Sequence, residues 1–215
     1  MSALRVVIVE DDALLRTSLV AALPLQGIDV VGSADGAAGA LELIRRVQPD
    51  AALLDLDLGV GPNGIDIARL LRAEYPAMGL VVLTGYADPR LAGASSAQLP
   101  EDVEYVVKSR LPDAALLGRI LARSVARRTG QARELPAPLA PHAQHDLTQV
   151  QLEVLRLVAR GMSNAEIAAA RSVSEKAVEN TITRLCRHLG IASDGGANTR
   201  VLLTRYYFTM SGSGA

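Results

Sequence analysis

The 215-residue sequence contains one cysteine, no tryptophan and only 3% aromatic residues. Because Cys186 stands alone, it cannot form an internal disulfide or an all-cysteine metal site. No apolar run approaches the roughly 20 residues that a membrane-spanning helix needs, so we expect no membrane segment. The N-terminus turns acidic at Glu10, which argues against a secretory signal. These absences together favour a cytoplasmic protein in a reducing compartment.

What is present indicates a folded chain of more than one domain. The apolar fraction of 49% and the charged fraction of 21% exclude a mainly disordered protein, and the length suits two compact domains with a linker. The net charge of −1 is unevenly spread, since residues 1–121 carry 10 basic and 16 acidic side chains, whereas residues 146–215 carry 8 and 6. This asymmetry suggests that the C-terminal part of the chain binds a polyanion. The alternative is that the difference reflects ordinary variation in surface charge.

The front half alternates short apolar runs with segments of helical spacing. The first, third and fourth runs are almost continuously apolar, as expected for strands of a parallel sheet covered on both faces. Five βα units in about 120 residues predict a doubly wound α/β domain, although glycine and serine interrupt the helical segment 88–97. The predicted strands are 5–11, 29–35, 51–58, 79–85 and 104–109, and the predicted helix faces carry Leu15, Leu19, Leu23, Leu41, Ile44, Ile67, Leu70 and Leu71.

A proline-rich segment separates this half from the rest. From Ala126 to His145 the apolar periodicity stops, and three prolines fall within six residues, which is typical of an extended linker. We therefore predict a first domain over residues 1–125, a linker over 126–145 and a second domain over 146–210.

The second domain is predicted to consist of four helices. Thr148 with Gln151 and Ser163 with Glu166 form capping boxes that begin the first two helices, and Ser174 can cap the third. The apolar positions of the third helix are Val178, Ile182, Leu185 and Leu189, and the fourth helix is predicted around 197–208.

Polar residues fall at the carboxyl ends of the predicted strands. With the strand order 2-1-3-4-5, Glu10 and Asp11 after the first strand lie beside Asp55 in the third. Three carboxylates so close together must raise a pKa or hold a cation, and oxygen-only ligands suit Mg²⁺. One carboxylate remains free as a nucleophile towards a phosphoryl group, whose charge Lys108 and the Thr84 hydroxyl can stabilise.

Taken singly, each of these residues is more often a helix cap, a strand residue or a solvated charge, so the set carries the signal. The motifs IVEDD, LLDLDLG, VLTGY and YVVKS resemble those of two-component response-regulator receiver domains, which have a flavodoxin-like five-stranded sheet. The segments LTQVQLEVLRLVARGMSNAEIA and SVSEKAVENTITRLCRHLGI resemble the LuxR-type helix-turn-helix of NarL/FixJ regulators. The resemblance covers residues 3–124 and 147–208.

This resemblance implies a phosphoprotein in phosphorelay signalling rather than an enzyme. A sensor histidine kinase would be the phosphodonor, a double-stranded DNA operator the ligand, and a homodimer the active form. The implied Mg²⁺ ligands are Glu10, Asp11, Asp55 and the Asp57 backbone carbonyl, and Asp55 is also the implied phospho-acceptor. Thr84 and Tyr105 are the implied switch residues, and Lys108 is the family's lysine.

The loop GVGPNG after Asp55 departs from the family pattern, because Gly59 replaces the usual proline and Gly64 falls nine positions on instead of eight. A degenerate receiver that dimerises without phosphate is therefore one alternative. A haloacid-dehalogenase-type phosphatase, with Asp55 as nucleophile and Asp57 as general acid, is another. The phosphatase reading conflicts with the order of the motifs, because the acidic pair precedes Asp55 and no acidic pair follows Lys108 on a strand end.

In the second domain, the second helix of a helix-turn-helix enters the major groove. An asparagine there can bond adenine, and basic residues can contact phosphates or guanine. Acidic residues offset part of the basic charge, and a protein-interaction module of four helices remains the alternative. The predicted outward residues are Lys176, Glu179, Asn180, Thr183, Arg184 and Arg187.

Overall fold

The computed structural model describes residues 3–59, 61–86, 99–100, 102–128, 130, 147–191 and 197–211. The chain forms two compact units, the first built on a sheet and the second on helices. No helix in these ranges is long and apolar enough to cross a membrane.

The first unit contains a five-stranded parallel sheet in the order β2-β1-β3-β4-β5, which confirms the predicted topology. Every residue of the central strands β3 and β4 is buried, as the continuous apolar runs predicted for a sheet covered on both faces. The strands are β1 (Leu4–Val9), β2 (Ile28–Ala34), β3 (Ala51–Asp55), β4 (Gly79–Thr84) and β5 (Glu104–Val107).

Four helices of the described part of this unit flank the sheet. They are α1 (Ala13–Ala22), α2 (Ala37–Val47), α3 (Gly64–Glu74) and α4 (Ala114–Arg128). Side chains of α1 and α4 join alternate residues of the strands in one core cluster, including Leu19, Leu117, Ile8 and Leu53. The predicted segment 88–97 lies outside the described residues.

One predicted core position is wrong. Leu70 is 54% exposed, whereas Ile67 and Leu71 are fully buried. The buried stripe of α3 runs through Gly64, Ile67, Ala68 and Leu71, so Leu70 lies on the solvent side of the helix.

Helix α4 continues to Arg128, three residues into the segment predicted as linker. The apolar pattern ends earlier, but two arginines of the last turn are anchored by ion pairs. Arg127 contacts Glu104 at 3.0 Å and Arg128 contacts Asp102 at 2.9 Å. Residues 131–146, which hold the rest of the predicted linker, lie outside the described residues.

The second unit packs helices around its own core. Both predicted capping boxes are present: the Thr148 amide donates to Gln151 at 2.8 Å, and the Ser163 amide donates to Glu166 at 2.7 Å. The helices are α5 (Gln149–Ala159), α6 (Asn164–Arg171), α7 (Glu175–His188) and α8 (Ala197–Met210). Their core includes Leu152, Leu155, Ile167, Val178, Leu185 and Leu203.

The turn between α6 and α7 gives the helix-turn-helix arrangement. Ser172 ends α6 in the left-handed conformation, with φ of 52°. Two residues later, the Ser174 side chain accepts a hydrogen bond from the Ala177 amide and begins α7, as predicted. The turn between the two helices therefore spans only three residues.

Candidate functional sites

The carboxylates predicted to converge do so at the carboxyl edge of the sheet. Glu10 and Asp11 follow β1, Asp55 ends β3, and the two strands are neighbours that pair Val9 with Leu54. One carboxylate oxygen from each residue lies within 4.8 Å of the others. Glu10 and Asp55 are buried, whereas Asp11 is exposed and opens the cluster to solvent.

Lys108 reaches this cluster from the end of β5, the edge strand of the sheet. It follows β5 directly, and its Nζ lies 2.9 Å from Asp55 Oδ2 and 3.0 Å from Glu10 Oε2. Burial alone would lower the pKa of Lys108, but its hydrogen bond to Asp55 and the two carboxylate charges outweigh burial and raise that pKa. The ammonium group is therefore fixed as a cation next to Asp55.

The cluster holds more negative charge than Lys108 alone compensates. Burial, followed by the charge of Asp55, raises the pKa of Glu10 to about 7 despite the hydrogen bond from Lys108. Asp12, the third acid of the same segment, has a different role. It accepts hydrogen bonds from the Leu14 and Leu15 amides to begin α1, and these bonds lower its pKa.

The other predicted residues of this site lie on β4 and β5. Thr84 ends β4 and is fully buried. Tyr105 is buried in the neighbouring strand β5, where it pairs with Val82. Asp57, by contrast, is exposed on the loop after β3, and its amide donates to Asp55 Oδ1 at 3.4 Å. The backbone of this loop thus turns back towards the Asp55 carboxylate.

The extra residue of the GVGPNG loop is absorbed before α3. Gly59 and Gly61 have positive φ values of 75° and 125°, which L side chains rarely adopt. Gly64 then packs so closely that a Cβ there would lie 2.1 Å from the backbone oxygen of Asp55. The longer loop therefore still brings α3 against the carboxyl end of β3.

Two features of this unit were missed by the sequence analysis, of which the first lies at this site and the second at the amino end of β5. The Arg16 guanidinium donates to the backbone oxygens of Glu10 at 2.5 Å and Asp11 at 3.2 Å, and so supports the acidic segment from α1. Glu104 in β5 accepts two hydrogen bonds from Arg123 of α4, at 3.0 and 2.8 Å. An arginine one turn after an acidic strand end was the available signal for the first feature. Nothing local indicated the second.

In the second unit, α7 presents the predicted face. The side chains of Val178, Leu185 and Cys186 are buried, and all six predicted outward residues are exposed. On this face the Lys176 ammonium lies 3.0 Å from Glu179 Oε2. The Thr183 hydroxyl donates to the Glu179 backbone oxygen at 2.9 Å.

Two arginines missed by the sequence analysis fasten α6 to the other helices. Arg200 of α8 donates to Asn164 Oδ1 at 2.8 Å and also to the Met162 backbone oxygen. Arg171 forms an ion pair with Glu153 of α5 at 3.0 Å. These contacts hold the helix that precedes the turn against α5 and α8.

Comparison with known proteins agrees with this geometry. Residues 6–111 match the response regulator receiver domain family, and residues 145–199 match the bacterial regulatory proteins of the luxR family. The chain is 31% identical over 209 residues to a probable transcriptional regulatory protein NarL of Mycobacterium tuberculosis, covering 94% of each chain. It is also 31% identical to the DNA-binding transcriptional activator DevR/DosR of the same organism, covering 87% of this chain and 88% of that one.

A solved structure of two RcsB dimers bound to two parallel DNAs shares the fold, with a TM-score of 0.58 and 20% identity. The match covers 96% of this chain and 98% of the RcsB chain. Because the two domain families and the full-length relatives agree in content and order, the chain belongs to the NarL/FixJ family of response regulators, which join a receiver domain to a LuxR-type helix-turn-helix domain.

Proposed function

We propose that phosphorylation of Asp55 controls DNA binding by α7, so that this chain acts as a transcription regulator of a two-component system. The observation that carries the proposal is the arrangement of Glu10, Asp11 and Asp55 around one point, with Lys108 bonded to Asp55. This arrangement combines a nucleophile, a cation-binding set of oxygens and a fixed positive charge.

The chemistry assigned to Asp55 is one displacement. A carboxylate oxygen of Asp55 attacks the phosphorus of a phosphohistidine on the sensor kinase, the P–N bond breaks, and its electron pair returns to the imidazole. The product is an acyl phosphate on Asp55. Lys108 stabilises the transferred charge, and the Thr84 hydroxyl donates to a phosphoryl oxygen.

The residues fit Mg²⁺ as the cation. Glu10, Asp11 and Asp55 offer only oxygen ligands, and the Asp57 backbone carbonyl would complete the set. When bound, the ion supplies positive charge that neutralises the incoming phosphoryl oxygens. Glu10 and Asp11 would serve as ligands beside Asp55, whose second carboxylate oxygen remains free to react.

The switch assigned to the receiver uses Thr84 and Tyr105. Phosphate on Asp55 would draw Thr84 towards it, let Tyr105 repack, and favour a homodimer. Two copies of α7 would then read two half-sites of an operator. We place the receiver at residues 1–128 and the DNA-binding domain at 146–210, and we assign the protein to the cytoplasm.

Intact-mass measurement after treatment with acetyl phosphate tests the phospho-acceptor. We expect one phosphate adduct that requires Mg²⁺ and is absent from Asp55→Asn. The matched control is Asp57→Asn, which changes an exposed carboxylate on the same loop and should still take up one phosphate. An adduct on Asp55→Asn, or uptake indifferent to Mg²⁺, would contradict the assignment.

The same samples separate the alternatives. A degenerate receiver would show no adduct in any variant. A phosphatase with Asp57 as general acid would turn over a phosphate ester, and Asp57→Asn would stop that turnover. We expect neither result, and therefore no enzymatic activity on phosphate esters.

The DNA-binding face is tested by comparing Asn180→Ala with Arg187→Ala on single-base variants of an operator, selected by this chain from random duplexes. Asn180 lies in the first half of α7, so losing a bidentate base contact should cost roughly 1–3 kcal/mol at one base pair per half-site. Arg187 lies in the last turn, so its loss should weaken binding to all sequences and reduce the salt slope by about one. The reverse assignment of the two effects would contradict this placement of α7.

A further inference from the structure

The outward face of α7 carries an acidic residue where it is expected to meet DNA. Glu179 lies in the first half of the helix, directly before Asn180, and its side chain is 49% exposed. The other predicted outward residues of this face are basic or neutral, and Glu175, one turn before Glu179, is the other exposed acid of the helix. A carboxylate brought close to DNA is repelled by the phosphates, so its presence here opposes binding to every sequence alike.

The edges of the bases offer a carboxylate few compensating partners. A carboxylate only accepts hydrogen bonds, and in the major groove the donors are the N4 amino group of cytosine and the N6 amino group of adenine. Adenine also presents its N7 acceptor beside that donor, which suits an amide better than a carboxylate. Cytosine is therefore the base whose edge best suits Glu179.

The structure also shows what holds the side chain. Lys176 lies one turn earlier on α7, and its ammonium is 3.0 Å from Glu179 Oε2. This contact occupies one carboxylate oxygen and leaves the other, Oε1, for a second partner. The Lys176 charge also offsets the repulsion between Glu179 and the phosphates, although at 77% exposure it stays accessible to water and salt.

We propose that Glu179 determines specificity for a cytosine in each half-site, by accepting a hydrogen bond from its N4 amino group, and that Lys176 positions the carboxylate. This inference rests on the proposed DNA-binding function. Glu179 would then select a base, whereas a negative charge without this hydrogen bond would only weaken binding to DNA.

The test uses full-length protein and an operator enriched by the wild-type chain from random DNA duplexes. Each cytosine is replaced in turn by the other bases and by 2-pyrimidinone, which lacks the N4 amino group. At one position per half-site, we expect the wild type to lose roughly 5- to 150-fold in affinity on either replacement. Glu179→Ala should bind cytosine and 2-pyrimidinone equally at that position and keep its discrimination elsewhere.

Two further variants distinguish recognition of the cytosine from the general effect of charge on DNA affinity. Glu175→Gln removes an exposed negative charge from the first turn of the same helix, so it should raise affinity for all sequences without changing their ranking. Lys176→Gln should reduce the discrimination at the same cytosine that Glu179 reads. A smaller loss spread evenly over all positions would show that Lys176 contacts phosphate instead, and would overturn the positioning role.

The inference and the proposed function fail in different ways. If Glu179→Ala binds every operator variant more tightly by the same factor as Glu175→Gln, Glu179 only repels DNA and the inference is wrong. If the wild-type chain enriches no sequence from random duplexes, the DNA-binding function itself is contradicted, and the inference with it.

Discussion

Among single residues, Glu10 is a buried carboxylate that lies next to a second carboxylate, that of Asp55. Its pKa is raised to about 7, mainly by burial and then by the neighbouring charge of Asp55. Because a metal ligand must be deprotonated, the proposed binding of Mg²⁺ by Glu10 has to displace a proton at or below neutral pH.

The raised pKa of Glu10 predicts the pH dependence of Mg²⁺ binding. A group with a pKa near 7 is mostly ionised at pH 8 and mostly protonated at pH 6, so Mg²⁺ affinity should fall about tenfold between the two. Calorimetric titration with MgCl₂ at both pH values measures the Mg²⁺ affinity. Glu10→Gln, which cannot titrate, should bind more weakly but equally at both values. Equal affinity of the wild type at pH 6 and pH 8 would show that Glu10 ionises normally.

The sequence predicted that these side chains converge because each stands at a strand end. Once the strand order was inferred, Glu10, Asp11, Asp55 and Lys108 had to meet at one edge of the sheet. It did not predict Arg16, whose role depends on the path of the backbone between β1 and α1. Residue type alone could not distinguish this arginine from a solvated one.

At the scale of elements, α3 and β3 meet at Gly64 and Asp55. A Cβ at Gly64 would clash with the backbone oxygen of Asp55, and neither backbone can move without displacing its element. The position of Asp55, the proposed phospho-acceptor, is therefore tied to the start of α3.

Gly64→Ala should consequently lower the free energy of unfolding by about 1–3 kcal/mol and slow phosphate uptake by Asp55. Gly39→Ala in α2 is the matched control, since its Cβ would meet nothing closer than 3.9 Å. That change should stabilise the protein by about 0.5–1 kcal/mol through helix propensity. Urea unfolding and the rate of mass gain with acetyl phosphate measure both effects. Identical behaviour of the two alanine variants would contradict the close approach.

A second link between elements joins β5 to α4 through Glu104 and Arg123, whose side chains are 4% and 7% exposed. Glu104→Gln removes the negative charge that faces Arg123 in the interior, and should cost about 3–5 kcal/mol. Glu74→Gln, which alters the exposed pair of Glu74 with Arg45, should leave the urea midpoint almost unchanged. A midpoint equally insensitive to both substitutions would show that the buried pair adds no stability.

Periodicity predicted most elements, and sequence motifs predicted both capping boxes. These local signals failed where a contact with a residue distant in sequence determines the end or the buried face of a helix. Helix α4 outlasts its apolar pattern because Glu104 and Asp102 hold its last arginines. Leu70 matches a helical repeat yet faces solvent, because the packing face of α3 is centred on Gly64 and Ile67. In both cases the deciding contact joins residues that are not neighbours in sequence.

At the scale of the whole molecule, each unit has a hydrophobic core of its own. We therefore expect residues 1–130 and 146–215 to fold separately, and their circular dichroism spectra to sum to that of the full chain. Fragment 146–215 should unfold cooperatively and bind DNA on its own. A fragment that is unfolded until the other is added would contradict separate domains.

The proposed function depends most on one effect, namely that phosphate on Asp55 changes the affinity of α7 for DNA. Its most direct test is the affinity of the full chain for its selected operator, with and without acetyl phosphate and Mg²⁺, for wild type and Asp55→Asn. We expect phosphorylation to tighten wild-type binding by roughly 5- to 150-fold, the usual range of coupling between two sites, and to leave Asp55→Asn unchanged. A wild-type protein that carries the Asp55 adduct, yet binds the operator no more tightly than Asp55→Asn, would contradict the account.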